Sequence, residues 1–213
     1  MKLDSSLFCQ WQHTLSSFEV DQLAAHNAFN LLVEAYSSSV RYYHTLKHIY
    51  HVLKTIDNLQ AYTRNLAAVQ LAAWFHDVVY DTKAQKNEEK SADYAYELLS
   101  ILGIPLSNIS AVTCLILNTK NHQATADDFD SQVLLDADLA ILAANPVQYR
   151  EYALYIRQEY AWVSEAEYIV GRAHVLESFL QRQRIYFTTL MFEVGEKAAR
   201  CNINAEIQSL LAQ

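Results

Sequence analysis

Histidine and aspartate recur in this chain where the neighbouring residues are apolar. RYYHTLKHIYHVL carries His44, His48 and His51, WFHDVV carries His76 and Asp77 side by side, and LLDADLAIL carries Asp136 and Asp138. A carboxylate buried without a partner costs several kcal/mol or is driven to neutralise. Either these groups satisfy one another through hydrogen bonds and ion pairs, or they hold something that offsets the charge. A divalent cation is the strongest candidate. Imidazoles and carboxylates together form a mixed nitrogen–oxygen donor set, which suits Mn, Fe, Co, Ni or Zn better than Ca. For His76-Asp77 taken alone, the competing reading is a buried histidine ion-paired to its surroundings.

Positioning these groups requires helices. His44 and His48 stand i,i+4 and His48 and His51 i,i+3, so one helix can bring all three toward one side. That helix opens at Thr45 and reads TLKHIYHVLKTIDNLQAY, with Leu46, Ile49, Val52, Leu53 and Ile56 on one face. A second, from about Asn65, reads LAAVQLAAWFHDVVY and carries His76-Asp77 near its C-terminal end. Consecutive helical residues point about 100° apart, so both can reach one ion only from beside the helix. Asp136 and Asp138 fall on a short helix, SQVLLDADLAILAA, that stops before Pro146.

The remaining elements are also helical. Ser16-Ser17-Phe18-Glu19 offers a capping box for a helix running to about Tyr36. The polar DTKAQKNEEK leads into a helix closed by Gly103-Ile104-Pro105, and Ser107 or Ser110 begins ISAVTCLILNT. KNHQATADDFD reads as loop. Pro146 suits the first turn of VQYREYALYIRQEYAWV, Ser164 starts SEAEYIVGRAHVLESFLQRQ, and a last helix covers roughly Glu196 to Leu211. The expectation is an all-α, single-domain bundle of eight or nine helices over residues 1–213.

Composition supports that class. Of 213 residues 52% are hydrophobic, yet there are only three Gly and two Pro, too few for the tight turns of an all-β protein. A net charge of −8 argues against a broad nucleic-acid-binding face. Cys9, Cys114 and Cys201 lack any CxxC spacing and fit reduced thiols. MKLDSSLFCQW has no sustained apolar stretch, and no run approaches the roughly 18 residues that span a bilayer. The expected setting is cytoplasmic, with no membrane partner.

The order His, His-Asp, Asp resembles the HD-domain superfamily of metal-dependent phosphohydrolases. More narrowly it looks like the bacterial group of predicted HD phosphohydrolases, through YHTLKHIYHVL, AAWFHDVVYD with the following NEEKSA, and LLDADLAIL. FLQRQRIYFT and ARCNINAEI extend the likeness over most of the chain. The resemblance implies an HD-type bundle around one or two divalent ions (Mn, Fe, Co, Ni, Zn or Mg). Its ligands would be His48, His76, Asp77 and Asp138, with Asp136 the rival of Asp138.

Four ligands would leave open positions for water and a phosphate oxygen of a small phosphorylated substrate, an ester or anhydride such as a nucleotide. Beside Asp77, the proton acceptors to consider are Asp81, Glu88 and Glu89. Phosphate would fall to Arg41, Lys47, Lys83, Lys86 or Lys120, since no Gly-rich phosphate loop is present. His44 and His122 would line the substrate pocket, while His51 reads as core or surface. Two other functions fit the same residues: a di-iron HD-type oxygenase, for which His44, His51 and His122 would be the extra ligands, and a non-catalytic regulatory module stabilised by its metal.

Overall fold

Alternation between wholly apolar and one-faced helices organises the computed structural model, which describes residues 3–212. The described residues form ten α-helices, two short 3-10 segments and no strand, as the all-α expectation requires. No helix among them is long and apolar enough to cross a membrane. The chain divides into two compact units, with the boundary between Ala137 and Asp138.

The first unit contains α1 (Leu3–Leu15), α2 (Gln22–Tyr36), α3 (Leu46–Leu59), α4 (Leu66–Phe75), α5 (Asn87–Ile101), α6 (Leu106–Thr119) and nearly all of α7 (Phe129–Asp138). Helix α4 is apolar all round, and every residue from Ala68 to Phe75 is buried, including Gln70. Such a helix must be covered on all sides. It packs against α1, α3, α5 and α6. Three aromatic side chains tie it in. Trp11 packs edge-on against Trp74 at 5.5 Å, Trp74 Nε1 donates to Thr14 Oγ1 at 3.3 Å, and Tyr36 donates to the Trp74 carbonyl at 2.9 Å.

Helix α3 buries Leu46, His48, Ile49, Val52, Leu53, Ile56 and Leu59, a single face that takes in His48. His51 falls on the exposed side. Helix α5 ends in a full Schellman motif: Gly103 at φ 74° donates to the Ser100 carbonyl and Ile104 to the Leu99 carbonyl.

Several boundaries differ from those read in the sequence. Helix α1 was not anticipated, and α2 starts at Gln22, where Asp21 Oδ1 accepts from the Ala24 amide at 2.9 Å. The Ser16–Glu19 segment is the turn between these helices rather than a helix start. Helix α4 stops at Phe75, five residues short of the expected end. In the turn that follows, Arg41 takes the carbonyls of Asp77 and Val78 at 2.7 and 2.9 Å.

The second unit holds a 3-10 segment (Leu139–Ala143), α8 (Pro146–Glu159), α9 (Glu165–Leu180) and α10 (Thr189–Leu211). Pro146 occupies the first turn of α8, and Ser164 caps α9, as expected. Helix α10 starts seven residues before the expected Glu196, because Thr188 caps it. Gly195 is no breaker there. A Cβ at this position would meet Tyr186 Cε2 at 3.0 Å and Ala143 Cβ at 3.1 Å, so the helix needs glycine to pack. Arg172 pairs with Glu206 at 2.8 Å, and Tyr149 donates to the same carboxylate at 2.6 Å. These contacts join α8, α9 and α10.

Candidate metal centre

His76 closes α4 as its C-terminal cap, and Asp77 follows in the turn. The two side chains therefore leave a helix end instead of a helix flank, which frees both to converge. His76 Nε2 lies 3.1 Å from Asp77 Oδ2 and 3.2 Å from His48 Nε2, while His48 Nε2 lies 3.7 Å from the same Asp77 oxygen. His48 and His76 are nearly inaccessible, at 3% and 2% exposure, whereas the Asp77 side chain keeps 20%.

His48 and His76 lie in the first unit, and Asp138 is the residue at which the second unit begins. Asp138 is the last residue of α7, and that helix fixes its backbone. Its rival Asp136 is fully buried.

These separations match donors around one ion. Two atoms about 2.1 Å from an ion are about 3.0 Å apart at right angles and about 3.4 Å apart in a tetrahedron. Opposite donors, with oxygen distances up to about 2.4 Å, span about 4.2–4.8 Å.

Protonation sharpens the fit. His76 Nδ1 lies 3.0 Å from the Ala73 carbonyl. A carbonyl only accepts, so Nδ1 carries the proton, and in the neutral ring Nε2 presents a lone pair. That lone pair faces Asp77 Oδ2, another acceptor. Two acceptors 3.1 Å apart repel unless a cation or a proton lies between them. Fixing a ligating imidazole through its second nitrogen is the usual outer-shell arrangement of metal histidines.

The rim is aromatic. His44 Nε2 lies 3.9 Å from Asp77 Oδ2, and its ring stacks on Tyr80 with centroids 4.2 Å apart. The segment after Asp77 is pinned by α5: Ser91 Oγ accepts from the Val79 amide and donates to its carbonyl, while Asn87 brackets the Asp81 backbone. Thus NEEKSA orders the chain that follows the His-Asp pair.

No protein-family model, curated protein or solved structure matches the chain. The site therefore rests on its geometry.

The other residues singled out in the sequence fall into place unevenly. Asp81 turns its carboxylate to the Lys83 amide at 2.9 Å. Glu88 and Glu89 sit in the first turn of α5. Lys120 pairs with Glu89 and donates to the Gln85 carbonyl at 3.3 Å, and its hydrogen bond holds the Glu89 carboxyl below its ordinary range. The second Glu89 oxygen, Oε2, is shielded from solvent and has no hydrogen-bond partner. Lys47 is exposed beside His51. Lys83 and Lys86 are exposed as well.

His122 adopts a left-handed backbone, φ 47°, in the turn after α6, and is the only non-glycine among the described residues to do so. Arg41 uses its guanidinium on backbone carbonyls. Tyr80, which the sequence reading passed over, sits against both His44 and Arg41. Its position three residues beyond the His-Asp pair was the available signal.

Proposed function

We propose that the chain is a metal-dependent phosphohydrolase acting on a small phosphate ester or anhydride, with a nucleotide among the candidate substrates. One observation carries the reading: the His76 Nε2 lone pair, fixed by Nδ1–H to Ala73, aimed at the Asp77 carboxylate and at His48. This donor set fits a borderline divalent ion such as Mn, Fe, Co, Ni or Zn, held by His48, His76, Asp77 and Asp138. When bound, such an ion supplies Lewis acidity toward a phosphoryl oxygen and lowers the pKa of water.

The chain's own groups would do the rest. Asp77 keeps solvent access, so substrate would approach from its side, past His44 and Tyr80. His44 can donate to an oxygen arriving there, and the Tyr80 ring holds its imidazole in place. Glu89, with an unpartnered carboxylate oxygen, is an acceptor for a proton, and Lys120 keeps it ionised.

The test is turnover of stripped and Mn-loaded protein on a panel of phosphomonoesters, phosphodiesters and nucleotides. Turnover that appears with Mn, vanishes with chelator and is lost in Asp77→Ala supports the reading. Metal-loaded protein that hydrolyses nothing on the panel favours the regulatory module.

A further inference from the structure

Arg41 lies in the link between α2 and α3 and is buried, at 8% exposure. Its Nη1 donates to the Asp77 carbonyl at 2.7 Å and to the His44 carbonyl at 3.1 Å, and its Nη2 donates to the Val78 carbonyl at 2.9 Å. The guanidinium also lies 5.0 Å from the Tyr36 ring centre and 5.4 Å from that of Tyr80. It forms no ion pair among the described residues.

A buried cation without a carboxylate is costly unless dipoles or nearby negative charge offset it. Here the dipoles are backbone carbonyls in the turn after α4 and just before α3. Two of the three belong to residues of the candidate centre itself, and the third adjoins Asp77.

We infer that Arg41 is the positioning residue of this centre. It sets the Asp77 carboxylate and the His44 ring against His48 and His76 by clamping their backbones to one planar fork. Metal donors tolerate displacements of only about 0.2 Å, so a backbone released at Asp77 shifts its Oδ2 out of range. The fork is specific to arginine. Lysine keeps the charge but offers a single ammonium, which cannot bridge two chain segments in fixed geometry. The guanidinium also places a positive charge behind Asp77. The carbonyl contacts occupy the donors that a bound phosphate would need, which moves Arg41 from the phosphate-binding candidates to the scaffold of the site.

This inference rests on the metal-centre reading, and the experiment separates the two. Mn affinity is measured by titration calorimetry on chelator-stripped parent, Arg41→Lys and Arg41→Ala, with folding checked by circular dichroism and thermal unfolding in chelator. The expected result is folded variants that bind Mn about 10–100-fold more weakly, the usual effect of losing an outer-shell partner. Methylguanidinium should restore affinity to Arg41→Ala but not to Arg41→Lys. If Arg41→Ala does not fold, Arg41→Lys decides alone, and parent-like Mn affinity there overturns the inference. It is equally overturned if both variants bind Mn within twofold of the parent, if neither folds, or if methylguanidinium restores nothing. A parent that binds no Mn instead refutes the metal centre.

Discussion

At the scale of single residues, the chemistry turns on which nitrogen of His76 holds the proton. The Ala73 carbonyl fixes it on Nδ1, and the acceptor pair His76 Nε2 and Asp77 Oδ2 follows. Sequence could place these residues in one site but could not reveal this tautomer, because Ala73 takes part only through its backbone. It also could not choose between Asp136 and Asp138. Two residues apart on a helix they point about 200° apart, so only one can face the site, and the apolar neighbours are alike on both sides.

Lys120 shows the opposite outcome: read as a phosphate ligand, it is engaged by Glu89. A carboxyl whose folded pKa is depressed adds stability above its unfolded value, and that stability is lost as pH falls through the folded value. Lys120→Met removes that hydrogen bond and should let the Glu89 pKa rise. Carbon NMR titration of the Glu89 side chain measures this, and an unmoved midpoint would contradict the pairing.

Helices were legible where their signals are local. Pro146, Ser164 and Gly103 mark boundaries because a ring, a capping hydroxyl and a left-handed backbone act within their own turn. The turn after α4 was illegible because its contact is remote, a guanidinium 36 residues away that takes the Asp77 carbonyl. Within α10, Gly195 is likewise explained only by Tyr186 and Ala143 packing onto it.

The tyrosine-rich α8 contributes to a buried polar network. Burial, and then the Glu206 carboxylate, push the Tyr149 hydroxyl far above its ordinary pKa, so it stays protonated and donates to Glu206. Arg172 and Glu206 are each only 9% exposed in their side chains. Arg172→Met leaves Glu206 a buried unpaired charge and should cost about 3–5 kcal/mol. Urea unfolding should show a lower midpoint at unchanged slope. A loss under about 1 kcal/mol would show that the pair does not hold these helices together.

For the whole molecule, the central claim is that residues far apart in sequence create a site whose repulsion a divalent ion relieves. An ion bound only by the folded chain stabilises it by about 2.7 kcal/mol at a hundred times its dissociation constant. For a chain of this length that corresponds to roughly 5–10 °C in Tm. The Asp77 carboxylate should then be a burden without metal and an asset with it, whereas a structural His-Asp ion pair would be an asset throughout.

The decisive measurement is thermal unfolding of the parent and Asp77→Ala, each in chelator and across a Mn titration. The account predicts that in chelator the variant is at least as stable as the parent, and that only the parent gains stability as Mn is added. A variant much less stable than the parent in chelator, with a parent Tm that stays flat across the titration, would contradict it.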